Sequence, residues 1–160
     1  MFSIKQPNHI IIGYKSAHEF QYPDNPLLIT SKGAKSRDWI KYLNLEKKAI
    51  VFDEVENNPS IDTVKKILEK YSDFNFSCVI GLGGGSCLDV AKYVGYKLNK
   101  KKILIPTTFG SGSEVTRISV LKIDGKKKSF HDDGLIADVA IEDSYFLKNT
   151  PEKIFNDSVI

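Results

Sequence analysis

The sequence predicts an α/β domain, a parallel sheet with helices on both faces, and three observations predict it. Short apolar, β-branched runs alternate with longer segments at helical spacing along most of the 160 residues. Two of the runs lead straight into small-residue loops, at 83–86 and 107–113. The composition, 41% hydrophobic and 27% charged, is that of an ordinary globular domain with enough chain for one sizeable core.

Each element has its own local reason. Residues 9–14 form a short β-branched run and 26–30 a second apolar run, followed by the turn signal Ser31-Lys32-Gly33. Trp39, Ile40 and Leu43 recur at helical spacing and predict a helix over 36–43. Residues 48–52 read as a strand. After the turn Asn57-Asn58-Pro59, Ser60 is placed to N-cap a helix carrying Val64, Ile67, Leu68 and Tyr71. Residues 76–81 form the most buried-looking strand, 86–99 a helix, and 102–105 another strand. Residues 117–123, and those from Phe130 on, read as irregular or β, and 137–141 as a further short strand. The alternation is Rossmann-like in the broad sense, without internal repeat, low-complexity segment or linker.

Several function classes are excluded. No apolar run approaches the roughly 18 residues that span a bilayer. The N-terminus has no apolar signal-peptide core, so a cytoplasmic location is expected and no membrane partner. Net charge is +3, but the lysine clusters Lys100-Lys101-Lys102 and Lys126-Lys127-Lys128 lie beside turns without interleaved aromatics. They read as solubilising loops, and no nucleic-acid partner is expected. Two cysteines make no disulfide framework. Cys78 reads as core. Cys87 reads as a packed residue, although a helix N-terminus at that position lowers a thiol's pKa.

The chemistry is carried by two loops. In Gly83-Gly84-Gly85-Ser86, residues without Cβ atoms let the chain turn sharply from strand to helix and let a pyrophosphate approach the backbone. The helix N-terminus then offers unpaired N–H groups and partial positive charge to that anion. Ser86 is the expected N-cap, and Asp89 three residues on completes a capping-box-like pair with it. After Pro106, the next ten residues hold five hydroxyl side chains: Thr107, Thr108, Ser111, Ser113 and Thr116. Gly110 and Gly112 allow close approach of a ligand. Both loops follow strands, the position at which open α/β sheets bind ligands.

Taken together, Gly-Gly-Gly-Ser-x-x-Asp-x-x-Lys and Pro-Thr-Thr-x-Gly-x-Gly-Ser-Glu-Val-Thr resemble the iron-containing (group III) alcohol dehydrogenase family, with a dehydroquinate synthase-like fold. The segment Asp53-Glu54-Val55-Glu56-Asn57-Asn58-Pro59-Ser60 resembles the family's stretch before its second helix, and the resemblance runs from about Gly13 to Ile160. Glycerol dehydrogenases and dehydroquinate synthases share the glycine motif but not the second loop, which favours the alcohol dehydrogenase branch.

The resemblance implies a nicotinamide cofactor, NAD or NADP, and roles at matching positions. Gly84, Gly85 and Ser86 would hold the pyrophosphate, with Asp89 close by. Thr107, Thr108 and Thr116 would contact the cofactor near its phosphates and nicotinamide end, with Val120 packing nearby. Asn58 would lie on the adenosine side. Lys128 matches a lysine reaching the cofactor's ribose region, with Lys127 as the alternative across a one-residue alignment uncertainty. Many NAD-preferring relatives carry Asp at the position of Ser31, where a carboxylate binds the ribose hydroxyl and repels a 2′-phosphate. Ser31 lifts that repulsion, and NADP(H) is expected to be tolerated or preferred.

The resemblance also implies what this sequence lacks. The family's divalent metal, iron or zinc, is held by one Asp and three His of a helical C-terminal domain. Here only His9, His18 and His131 occur, none at metal-ligand spacing, and His131-Asp132-Asp133 reads as a polar turn. No catalytic residue and no metal ligand is therefore expected on this chain. Residues 1–150 read as the dinucleotide-binding domain. Residues 151–160, with Pro151, Ile154, Phe155 and the apolar terminus Ile160, read as the start of a helical domain. A fragment, a split-gene product and a natural truncation each fit that reading.

Three functions follow. The first is the N-terminal half of an oxidoreductase moving hydride between an alcohol or aldehyde and NAD(P), inactive by itself. It would self-associate as a homo-oligomer or pair with a missing C-terminal half. The second is a truncated, non-catalytic NAD(P)-binding module. The third is a structural or interaction protein that keeps the fold alone.

Overall fold

The computed structural model describes residues 1–45, 49–108 and 110–148. Six parallel strands form one sheet in the order β1-β8-β5-β4-β2-β3. They are β1 (His9–Ile12), β2 (Leu27–Ile29), β3 (Ile50–Phe52), β4 (Cys78–Gly83), β5 (Lys101–Pro106) and β8 (Val139–Glu142). A separate antiparallel hairpin joins β6 (Ile118–Ile123) to β7 (Lys126–His131). The hairpin turns at Asp124 and Gly125, both at positive φ, which is the geometry that Asp-Gly favours in a two-residue turn.

The strands alternate side chains between two apolar layers. Leu27, Ile29, Val79 and Leu104 face one layer, with α4 (Ile61–Tyr71) and α5 (Gly85–Leu98). Leu28, Ile80, Leu82, Ile103 and Ile105 face the other, with Trp39, Leu43 and Phe146. β4 lies in the middle and is buried along its whole length, because both of its faces are covered. α5 is buried on nearly every side, between the sheet and the hairpin, which explains its run of small and apolar residues.

Two expectations are corrected. Residues 36–43 are not one helix. Two short helices, α2 (Lys32–Ser36) and α3 (Trp39–Tyr42), flank a break at Asp38 in the left-handed conformation (φ 59°). Ser31 is more than a turn residue, since its Oγ accepts the Ala34 N–H at 3.3 Å and caps α2. Ser60 does stand at the N-cap of α4, without a side-chain capping bond. Two further short helices, α1 (Ser16–Glu19) and α6 (Tyr145–Lys148), occupy segments without a strong helical pattern. Both are tied to the end of β8 by Asp143, whose carboxylate accepts the N–H groups of Lys15 (2.9 Å), Ala17 (3.1 Å) and Tyr145 (2.9 Å). The expected helix after Pro151 lies outside the described residues. Among the described residues no helix is long and apolar enough to cross a membrane.

Candidate functional site

The order of the strands locates the site. β2 leads to α2 and α3 on one face of the sheet, and β4 leads to α5 on the other. Their carboxyl ends therefore diverge and leave a crevice at a topological switch point, where open α/β sheets bind ligands. Thr30, buried at the end of β2, ties the two strands together by donating its hydroxyl to the Leu82 carbonyl at 2.6 Å.

Gly83 ends β4 at φ 148°, and a Cβ there would stand 2.7 Å from the Cys87 sulfur. The chain turns at once, so Gly84 is the N-cap and α5 begins at Gly85. Ser86 therefore lies inside the first turn and is not the cap, and the expected capping box with Asp89 does not form. Ser86 Oγ instead accepts the Asn58 N–H at 3.3 Å and draws the loop before α4 over the helix terminus. Asp89 faces the hairpin side, accepting the Ser113 hydroxyl at 2.6 Å and the Val120 N–H at 3.2 Å.

Two grooves meet on Gly85 and Ser86. The larger, about 340 Å³, is lined by Ser31, Arg37, Trp39, Gly84, Thr107 and Thr108 among others. The other, about 260 Å³, is lined by Asn58, Asp89, Val120, Lys122 and Lys127 among others. An extended ligand crossing the helix terminus would reach both, and the first-turn N–H groups of a helix have no intrahelical partner. Thr107 is held against the glycine turn by its N–H, which donates to the Gly83 carbonyl at 3.0 Å.

Two of the sequence-derived candidates lie elsewhere. Thr116 is outside both grooves, and its hydroxyl accepts from Lys92 at 3.3 Å. Of the two candidate lysines, Lys127 lines the groove, while the Lys128 ammonium sits 5.3 Å from the Phe130 ring centre. Their positions follow from the strand alternation, since neighbouring residues of β7 point to opposite faces.

Lys92, the last residue of the glycine motif, is fully buried. Its ammonium donates to the carbonyls of Ser113 (2.9 Å) and Ile118, and pairs with Asp89 at 3.4 Å. One buried cation on α5 thus holds the hydroxyl-rich loop and the root of the hairpin against the helix. A lysine reads as a surface residue from sequence, so only its place on the buried side of α5 reveals this. Arg37, which no motif of the sequence marks, lines the larger groove.

Cys87 packs under the turn, and burial pushes its thiol up to about 12, so the lowering expected at a helix N-terminus is overridden. Asp133 is paired with Lys5 (3.0 Å) and Arg117 (2.9 Å) on the surface. Among the described residues no group of three or more His, Cys, Asp or Glu is placed to hold a metal.

Beside Thr108, Glu142 lines a third groove with Ile12 and Leu147. Burial, and then the neighbouring Glu114 carboxyl, push it from 4.5 up to about 8. The folded protein thus keeps a proton that the unfolded chain releases. The stabilisation from Glu142 is complete below its unfolded value and is lost as pH rises through the window from 4.5 to about 8. The urea midpoint is expected to fall between about pH 5 and about pH 8, and Glu142→Gln to flatten that dependence. An equally steep fall in the variant would remove Glu142 as its source.

The family model described as iron-containing alcohol dehydrogenase matches residues 7–144. Long-chain-alcohol dehydrogenase 1 of Geobacillus thermodenitrificans is 38% identical over 125 residues, 65% of this chain and 32% of that protein. Glycerol-1-phosphate dehydrogenase [NAD(P)+] of Methanococcus aeolicus is 33% identical over 135 residues, 82% of this chain and 35% of that one. Among solved structures, an iron-containing alcohol dehydrogenase of Thermotoga maritima superposes with a TM-score of 0.84 at 28% identity, covering 96% of this chain and 51% of that one. Sulfoacetaldehyde reductase of Bifidobacterium kashiwanohense, in complex with NAD+, superposes with a TM-score of 0.87 at 26% identity, covering 96% and 49%. The chain thus spans about a third of the length of these curated relatives and about half of these solved chains.

Proposed function

The chain belongs to the iron-containing alcohol dehydrogenase family, and from that membership we propose that residues 1–150 are the dinucleotide-binding part of an oxidoreductase. The reaction is hydride transfer between a small alcohol or aldehyde and NAD(P), in the cytoplasm. The observation that carries this reading is the pair of grooves meeting on the half-buried start of α5 at the switch point.

In this reading the cofactor's pyrophosphate lies on the N–H groups of Gly85 and Ser86, which the helix dipole makes partly positive. Thr107 and Thr108 donate hydroxyls beside it. Asn58 and Val120 flank the second groove, with Lys127 supplying positive charge there. When bound, the nicotinamide supplies the hydride acceptor or donor. The chain's own residues bind the cofactor, orient it and exclude water from one wall. The family's metal finds no site among the described residues, so the contribution assigned to them is cofactor binding.

Fluorescence titration of the whole chain with NADH and NADPH tests the reading, with an alcohol-oxidation assay in added Fe²⁺ or Zn²⁺ alongside. Saturable nucleotide binding is expected. Binding without turnover would assign this chain the role of a nucleotide-binding module, and failure to bind either nucleotide would overturn the reading.

A further inference from the structure

We propose that Arg37 is a specificity-determining residue that grips the 2′-phosphate of NADP(H), so that this chain prefers the phosphorylated dinucleotide. The inference rests on the dinucleotide-binding reading above and commits that site to one cofactor.

Ser31 sits at the carboxyl end of β2, next to the glycine turn across the switch point. In this kind of crevice, an acidic side chain on the strand beside the glycine turn takes the adenosine ribose hydroxyl, and a nearby arginine accommodates a 2′-phosphate. Ser31 offers no carboxylate, and Arg37 lines the same groove.

The guanidinium is held in place. It lies 5.1 Å from the ring centre of Trp39, which is buried and packs edge-on against Phe146 at 5.5 Å. Gly33 makes the room, because a Cβ at that position would stand 2.5 Å from Arg37 Nη1 and 3.7 Å from Ser31 Oγ. Both polar groups therefore lie beside Gly33, and both line the larger groove. A stacked arginine presents a planar fork with little entropy left to lose, the geometry that recognises a phosphate through two parallel hydrogen bonds.

No described carboxylate claims its charge. Asp53, at the end of β3, is taken by Lys35 at 2.9 Å, and that pairing holds its carboxyl below the usual range. Asp38 is paired with Lys41 at 3.3 Å. Among the described residues no carboxylate pairs with Arg37. A half-buried cation that no described carboxylate pairs with, on the wall of the groove proposed to take the dinucleotide, fits a dianionic phosphate.

Dissociation constants for NADPH and NADH, measured by fluorescence on the whole chain, test the proposal. Wild type is expected to bind NADPH more tightly. Arg37→Gln is expected to lose about 10- to 100-fold more affinity for NADPH than for NADH, the scale of hydrogen bonds to a charged group. Should Arg37→Gln lower the thermal midpoint by removing the stack on Trp39, Ser31→Asp decides instead. It places a carboxylate where the 2′-phosphate would lie and is expected to reverse the preference. Equal binding of both nucleotides by wild type, or equal losses in Arg37→Gln with no reversal in Ser31→Asp, would overturn the assignment while leaving dinucleotide binding intact. Absence of binding to either nucleotide overturns the underlying reading and this inference with it.

Discussion

Gly85→Asp is expected to abolish dinucleotide binding while leaving the domain folded. Gly85 is the first residue of α5, and the two grooves meet on it. A carboxylate in the first turn favours the helix, because it complements the macrodipole. A Cβ there would meet only the Ser111 side chain, at 3.1 Å, in a solvent-facing loop. The same carboxylate would occupy the place proposed for the pyrophosphate. Two unit charges 4 Å apart at an effective dielectric of 20 repel by about 4 kcal/mol, close to a thousandfold in affinity. The check is a nucleotide titration beside a thermal melt. An unchanged midpoint with no detectable binding is the expected result. Retained affinity within a few-fold would show that the phosphates do not sit on this helix.

Lys92→Ala is expected to have the largest effect on stability. The ammonium is fully buried and holds two carbonyls, the Thr116 hydroxyl and the Asp89 carboxylate. Truncation removes the cation and leaves Asp89 without its charge partner beside unsatisfied carbonyls. Breaking a buried pair in this way costs about 3–5 kcal/mol, a large share of the roughly 5–15 kcal/mol that holds a domain folded. Urea denaturation should show a much lower midpoint. In a double-mutant cycle with Asp89→Asn, the two losses should fall well short of adding, since both residues anchor the same loop. Additive losses, or a loss below about 1 kcal/mol for Lys92→Ala, would mean that water replaces the ammonium there and that the clamp is not structural.

Most of the frame is legible in the amino-acid sequence. The strands β1, β2, β4, β5 and β8 lie within a residue or two of the apolar runs; β2 and β4 are covered on both faces, and such a strand writes itself as a short unbroken apolar run, while β1, a largely exposed edge strand, is legible from its β-branched residues. The glycine turn is legible because few strand-to-helix turns need so many residues without Cβ. The hairpin is harder to read, although its signal, Asp124-Gly125, stands in the sequence. β7 is lysine-rich, so the polar strand masks the turn. The single helix expected over 36–43 fails at Asp38, whose left-handed backbone (φ 59°) interrupts the helical path that the spacing of Trp39, Ile40 and Leu43 suggests.

The sheet, the helix that follows β4 and the two loops proposed to face the ligand can be read from the order of residues alone, because they depend on periodicity and on residues with unusual backbone freedom. What the charged residues do depends on the folded arrangement. Lys92 became an internal clamp, Lys127 rather than Lys128 came to line the groove, Asp89 turned toward the hairpin, and Arg37 came to rest on Trp39 beside Ser31. The role of a charge is set by which partners and how much water surround it. Those are long-range properties of the fold, and no local pattern of residues records them.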